Sequence, residues 1–68
     1  MTNTAALREK IASKGLKIKY VAEQVGLSPY GLTLKIDGKN EFRSSEIKAL
    51  AEVLSLNSKD VFNIFFAD

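Results

Sequence analysis

The fold is decided by residues 18–39, which read IKYVAEQVGLSPYGLTLKIDGK. Two short segments with helical periodicity meet in this stretch at a tight turn. Ala22 is small where the two helices must cross, and Gly26 readily adopts the left-handed backbone that ends a helix. Leu27 and Leu32 follow this glycine at the positions that fill the space between the helices. The spacing is typical of a helix-turn-helix, and a generic helical hairpin in a small bundle is the alternative.

Outward from this stretch, the sequence predicts an all-α domain of five helices without a sheet. Thr4 is a suitable cap for the first helix, Ser28-Pro29 opens the third, and Asp37-Gly38 closes it. No repeat or linker interrupts the chain, so we expect one domain over residues 1–68. The helices are expected at about residues 5–14, 18–25, 29–37, 45–54 and 58–65.

The composition favours a small folded domain that catalyses no reaction. The 68 residues are 46% hydrophobic, which is enough for one modest core. There is no cysteine and no histidine, so the commonest general base and the commonest metal ligands are missing. We therefore expect a protein that is not an enzyme and that binds no metal, cofactor or small-molecule ligand. The absence of a membrane-spanning stretch and of a secretory signal favours a cytoplasmic location.

Charge is distributed unevenly along the chain, although the formal net charge is only +2. Residues 8–43 carry eight basic and four acidic side chains, whereas residues 44–68 carry two basic and four acidic ones. The first part therefore suits a polyanion such as a nucleic acid. Ordinary solvated surface is the alternative, because charge alone does not separate the two interpretations.

Six short groups of residues carry a family resemblance, namely Val21-Ala22-Glu23, Gly26-Leu27-Ser28, Asp37-Gly38-Lys39, Glu41-Phe42, Ser45-Glu46-Ile47 and Ile64-Phe65-Phe66. Residues 16–56 resemble the lambda-repressor-like helix-turn-helix family, also called the Cro/CI or XRE type. The likeness is greatest to short stand-alone regulators of phages and prophages in Gram-positive bacteria. The resemblance implies a compact five-helix domain that binds a palindromic operator in double-stranded DNA as a homodimer and represses transcription. Ile18 departs from the family pattern, because many relatives have a DNA-contacting glutamine there, and so does Lys35, where many have an apolar residue.

The third predicted helix, residues 29–37, is the recognition helix that the resemblance places in the major groove. Because Leu32 is expected to point inward, the outward positions are the candidates for base contacts. Thr33 offers a hydroxyl group for a base edge and a methyl group for a thymine methyl, and Tyr30 suits a phosphate or the groove wall. Leu34 suits thymine methyls, and a place in the core is its alternative. The expected base-reading residues are Pro29, Tyr30, Thr33 and Leu34.

Basic and polar residues on both sides of this helix are expected to meet phosphates, which supply affinity and register without sequence information. Any single lysine among them is equally well explained as a solvated side chain. Ser28 also presents the N-terminus of the recognition helix, where N–H groups attract phosphate. Gly31 allows close approach to the second helix or to DNA, or is simply tolerated there. The expected phosphate-binding residues are Lys17, Lys19, Ser28, Lys35, Lys39, Asn40 and Arg43.

The C-terminal segment carries more apolar bulk than a short helix needs for its own packing. We expect Phe62, Phe65 and Phe66 to form a two-fold contact with a second copy of the chain. Packing of all four apolar residues of this segment, Ile64 included, within one chain is the alternative. The recognition helix carries few side chains suited to bidentate base contacts. A helical protein-interaction module, such as an anti-repressor or an antitoxin-like partner, is therefore the alternative function.

Overall fold

A computed structural model describes residues 1–66 and contains five α-helices in that part of the chain. No strand occurs among these residues, so the predicted all-helical class is confirmed. The first four helices begin and end within one residue of their predicted bounds. The helices are α1 (Thr4–Ser13), α2 (Ile18–Val25), α3 (Pro29–Ile36), α4 (Ser44–Val53) and α5 (Ser58–Val61).

The start of α1 differs from the prediction in its capping residue. Asn3, not Thr4, is the N-cap, and its side-chain oxygen accepts a hydrogen bond from the backbone N–H of Ala6 at 3.1 Å. The hydroxyl group of Thr4 instead donates to the backbone carbonyl of Ile36 at 2.6 Å. The residue predicted to cap its own helix therefore joins α1 to the end of α3.

The turn between α2 and α3 follows the chemistry expected from its residues. Gly26 has a φ of 84°, and the N–H of Leu27 donates to the carbonyl of Ala22 at 2.9 Å. This left-handed residue closes α2 with a bond from the following residue back into the helix. Ala22 is completely buried, as a close crossing of the two helices requires. The next helix begins directly afterwards, with Pro29 as its first residue.

The fifth helix changes its winding partway along, which the sequence did not predict. Regular α-helix extends only over Ser58–Val61, and the chain continues as a π-helical turn over Phe62–Phe66. The adjacent side chains of Ile64 and Phe65 are both buried within this turn. The carbonyl of Ile64 accepts a hydrogen bond from the N–H of Asn3 at 2.6 Å, which fastens the start of the chain to this turn.

The core lies between the four longer helices and the π-helical turn, with α2 packed against both α3 and α4. Phe42, from the loop after α3, packs edge-to-face on Phe65 with ring centroids 5.4 Å apart. No helix formed by residues 1–66 combines the length and the apolar character that crossing a lipid bilayer would require. The buried apolar residues are Leu7, Ile11, Val21, Ala22, Leu32, Ile36, Leu50, Leu54, Ile64 and Phe65.

Candidate nucleic-acid interface

One side of α3 faces the core and the opposite side faces solvent. Leu32 and Ile36 are completely buried, so helical spacing directs Tyr30 and Leu34 away from the core. Tyr30 is 73% exposed. Leu34 is half-buried but does not pack against the core cluster of the described residues. The outward surface of α3, called the reading face below, comprises Pro29, Tyr30, Thr33 and Leu34.

The N-terminus of α3 is capped by Ser28, whose hydroxyl oxygen accepts a hydrogen bond from the N–H of Gly31 at 3.0 Å. A β-carbon on Gly31 would lie 3.0 Å from that same oxygen and within 4 Å of no other atom outside its own helix backbone and chain neighbours. Gly31 therefore makes room for the cap, and not for an approach to α2. The exposed hydroxyl of Ser28 still has its own hydrogen to donate, for example to a phosphate oxygen.

Thr33 uses part of its polar capacity inside the helix. Its hydroxyl group donates to the backbone carbonyl of Pro29 at 3.0 Å, four residues earlier. Since a hydroxyl carries a single hydrogen, no donor remains on this side chain for a base edge while the bond persists. Thr33 is left with acceptor capacity and a methyl group.

The structure does not support a phosphate-binding role for Lys35. Its ammonium nitrogen lies 2.6 Å from a carboxylate oxygen of Glu46 in α4, and the two side chains are only 14% and 10% exposed. The same Glu46 oxygen accepts the backbone N–H of Arg43 at 2.8 Å. Lys35 thus joins the last turn of α3 to the first turn of α4. The sequence signals were a lysine at a position that is often apolar in the resembling family and a glutamate three residues into α4.

The pKa of Glu46 reflects this position. Burial disfavours the charged carboxylate and raises the pKa, but the hydrogen bond from the Arg43 backbone and the bond and charge of Lys35 outweigh it. The net result is a pKa below the ordinary glutamate value, so Glu46 is ionised at neutral pH. The buried ammonium of Lys35 therefore has a charged partner.

The loop that follows α3 contains exposed basic residues close to the end of the reading face. The backbone N–H groups of Lys39 and Asn40 both donate to the carbonyl of Leu34, at 2.9 and 3.4 Å. These bonds fold the loop back against the last turn of α3, and Arg43 follows as the N-cap residue of α4. The side chains of Lys39, Asn40 and Arg43 are exposed, and neither cation pairs with a carboxylate among the described residues.

Two more exposed cations lie at the start of α2. Lys17 is its N-cap residue and Lys19 lies in its first turn. Neither forms an ion pair with any residue of the described chain. Tyr20 beside them is 49% exposed and was not predicted as a surface residue. The exposed, unpaired cations named the cationic rim below are Lys17, Lys19, Lys39 and Arg43.

Other basic residues of the N-terminal part are held in ion pairs. Arg8 lies 2.7 Å from a carboxylate oxygen of Asp37 at the end of α3, and Lys10 lies 3.7 Å from Asp60 in α5. The positive balance predicted for residues 8–43 therefore reaches solvent mainly through the rim and Lys14. Charge counting along the sequence cannot make this distinction, because the carboxylate partners are distant in the chain.

A second exposed surface lies in the π-helical turn. Phe62 is 60% exposed and Phe66 is 56% exposed, and these two residues are called the phenyl patch below. Phe65 was predicted to belong to the same contact, and that prediction was wrong. It is only 4% exposed and packs in the core on Phe42. Ile64 and Phe65 lie on the inner side of this turn, and Phe62 and Phe66 lie on its outer side.

Comparisons with protein-family models, with curated proteins and with solved structures find no match to this chain. Its function must therefore be inferred from the two surfaces described above.

Proposed function

We propose that this protein binds double-stranded DNA sequence-specifically, with α3 in the major groove. The observation that carries the proposal is an outward α3 face whose following loop, bonded back to Leu34, carries exposed, unpaired cations. An α-helix fits the major groove, and exposed lysines and arginines are the residues that neutralise phosphates. This arrangement is what a helix-turn-helix needs in order to dock on a duplex.

Within this proposal the cationic rim supplies affinity and register. Lys39 and Arg43 would meet phosphates beyond the end of α3, and Lys17 and Lys19 would meet those near the start of α2. Ser28 and Asn40 add neutral donors for phosphate oxygens, since both side chains are exposed. Each phosphate neutralised by a cation releases counterions, so binding should weaken as salt is added.

We further propose that the DNA-bound form is a homodimer and that it represses transcription by occupying a palindromic operator. The phenyl patch supports the dimer, because two large aromatic side chains four residues apart are more than half exposed. A two-fold symmetric protein would read a two-fold symmetric site. Such a protein would act in the cytoplasm of a bacterial cell, where the chromosome lies, and would have no catalytic activity.

The phenyl patch also favours a second candidate function, that of a helical protein-interaction module. In that case the exposed phenylalanines would contact a different protein and α3 would contact no DNA. The two functions differ in their need for the cationic rim. DNA binding requires its positive charges, whereas a protein partner at the phenyl patch does not.

Selection of binding sites from a random pool of duplex DNA with the purified protein tests the proposal. We expect enrichment of one palindromic motif, and gel-shift affinity for that motif that falls as salt rises from 50 to about 200 mM. Absence of binding to any duplex at low salt would contradict DNA binding and favour the protein-interaction module.

A further inference from the structure

The reading face offers almost no hydrogen-bond donors. None of its four side chains carries a guanidinium, amide or ammonium group. The hydroxyl group of Thr33 donates its hydrogen to the carbonyl of Pro29, and the ammonium group of neighbouring Lys35 donates to the carboxylate of Glu46. The phenol of Tyr30 is therefore the remaining side-chain donor of the face. Bidentate contacts to guanine or adenine, which need forked donors or amides, cannot be made from these side chains.

Apolar carbon is what the reading face does offer. Pro29 presents its ring, Tyr30 presents most of a phenol ring, and Thr33 retains a methyl group. Leu34 is half-buried but belongs to no part of the described core, so its side chain is available for an outside contact. In the major groove, the C5-methyl group of thymine is the apolar group on a base edge. It is the chemical complement of this surface.

We propose that α3 identifies its DNA site through thymine methyl groups, with Thr33 and Leu34 as the residues that contact them. The proposal rests on the proposed DNA-binding function and specifies its ligand as thymine-rich half-sites read through 5-methyl groups. Burial of one methyl group against apolar side chains changes an equilibrium constant about four-fold. Two or three such contacts in each half-site would give selectivity without forked hydrogen bonds.

Replacement of thymidine by deoxyuridine tests this directly, because it removes the methyl group and leaves base pairing and hydrogen-bonding groups unchanged. The probe is a duplex that the wild-type protein selects from a random pool, made with thymidine or with deoxyuridine at each thymine position in turn. We expect affinity to fall about four-fold at one or more positions in each half-site. The dependence of binding on salt should remain the same, since no phosphate contact changes.

Three variants connect the effect to named residues. Thr33→Ser removes only the methyl group and keeps the hydroxyl bond to Pro29, so it should fold normally and lose the uracil effect at one position. Leu34→Ala should lose it at a different position, with its folding checked by circular dichroism. Lys39→Ala should weaken binding to both duplexes by the same factor and retain the full uracil effect.

Equal affinity of the wild-type protein for the thymidine duplex and for every deoxyuridine duplex would overturn the thymine-methyl proposal while leaving DNA binding intact. An undiminished uracil effect in both Thr33→Ser and Leu34→Ala would also overturn it, by assigning the methyl contacts to other residues. Failure to bind any duplex would instead overturn the proposed function itself.

Discussion

Two surfaces of this molecule expose aromatic side chains, and they differ in what surrounds them. Tyr30 on the reading face is 73% exposed, and the loop that carries the rim residues Lys39 and Arg43 follows directly after its helix. The phenyl patch lies in residues 58–66, where Lys59 and Asp60 are the charged side chains and balance each other. Exposed aromatic area alone would assign both surfaces to the same kind of partner. The charge around each one separates them into a surface for a polyanion and a surface for an apolar partner, which we propose is a second copy.

The largest effect should come from removing rim cations. Lys39→Ala combined with Arg43→Ala should weaken binding to the selected duplex by about 10- to 100-fold, because phosphate contacts dominate affinity. The slope of log affinity against log salt should fall by about 2 for each protomer. Gel-shift or fluorescence-anisotropy titrations at several salt concentrations measure both quantities.

Lys48→Ala combined with Lys59→Ala is the matched control, because it removes the same charge from exposed residues of α4 and α5. This control should leave the salt slope unchanged. Equal effects of the two double variants would mean that DNA attraction depends on net charge and not on the rim.

The next effect concerns the phenyl patch. Phe62→Ser combined with Phe66→Ser should convert the proposed homodimer to a monomer and lower affinity for a palindromic duplex by about 10-fold or more, since two linked half-sites bind more tightly than one. Sedimentation equilibrium measures the oligomeric state. Tyr30→Ser is the comparison variant on the other surface, and it should lower DNA affinity without changing the oligomeric state. A dimer that survives loss of both phenylalanines would remove the patch from the interface.

A smaller effect is expected at the Lys35–Glu46 pair, which distinguishes a structural lysine from a rim lysine. Glu46→Gln should lower the free energy of unfolding by about 2 kcal/mol, because it leaves a largely buried ammonium without its charged partner. Lys35→Met combined with Glu46→Gln should regain much of that loss, since both buried charges are removed while the amide oxygen at position 46 still accepts the N–H of Arg43. The double variant should also keep the wild-type salt slope for DNA binding. A lowered slope would return Lys35 to the phosphate contacts.

The same pair has a pH dependence whose sign follows from the lowered pKa of Glu46. A carboxyl group with a lower pKa in the folded protein stabilises the fold fully above its unfolded pKa of about 4.3. That stabilisation is lost as the pH falls through the folded pKa. Urea unfolding at a series of acidic pH values should therefore show wild type and Glu46→Gln converging as the pH decreases. A constant difference would contradict this assignment.

The smallest effect should come from Glu41, an exposed carboxylate in the loop between the rim residues Lys39 and Arg43. Glu41→Gln should strengthen DNA binding about two-fold by removing repulsion between this carboxylate and nearby phosphates. Glu52→Gln, at an exposed position in α4, is the control and should have no effect. An equal gain in both variants would show that position in the loop is irrelevant.

The architecture of the helix-turn-helix could be predicted because its signals are local. The αL glycine that ends α2 and the serine-proline pair that opens α3 determine the backbone within a few residues of themselves. Helical periodicity likewise identified Leu32 as a buried residue. These features gave the helix bounds to within one residue for α1 to α4.

The features that could not be predicted depend on contacts between distant residues. The hydroxyl group of Thr4 hydrogen-bonds to the carbonyl of Ile36, 32 positions away in the chain. Thr4 therefore connects two helices instead of capping its own. The type and position of Lys35 suggested a phosphate contact. That prediction failed because Lys35 pairs with Glu46 in the following helix, a contact that local sequence does not indicate. Phe65 packs on Phe42 from the loop after α3, and the π-helical turn is a winding for which periodicity gives no signal.

Amide chemical shifts measured by NMR during addition of the selected duplex report on both surfaces in one experiment. They therefore test directly whether DNA binds at α3 and the cationic rim and not at the phenyl patch. The account predicts that the largest shifts occur in residues 28–35 and 39–43 and at the start of α2. Residues 62–66 should respond to protein concentration, and they should not respond to DNA at concentrations where the protein is already dimeric. Shifts concentrated in residues 62–66 when DNA is added to the dimer, or no shifts at low salt, would contradict DNA binding by α3 and the cationic rim.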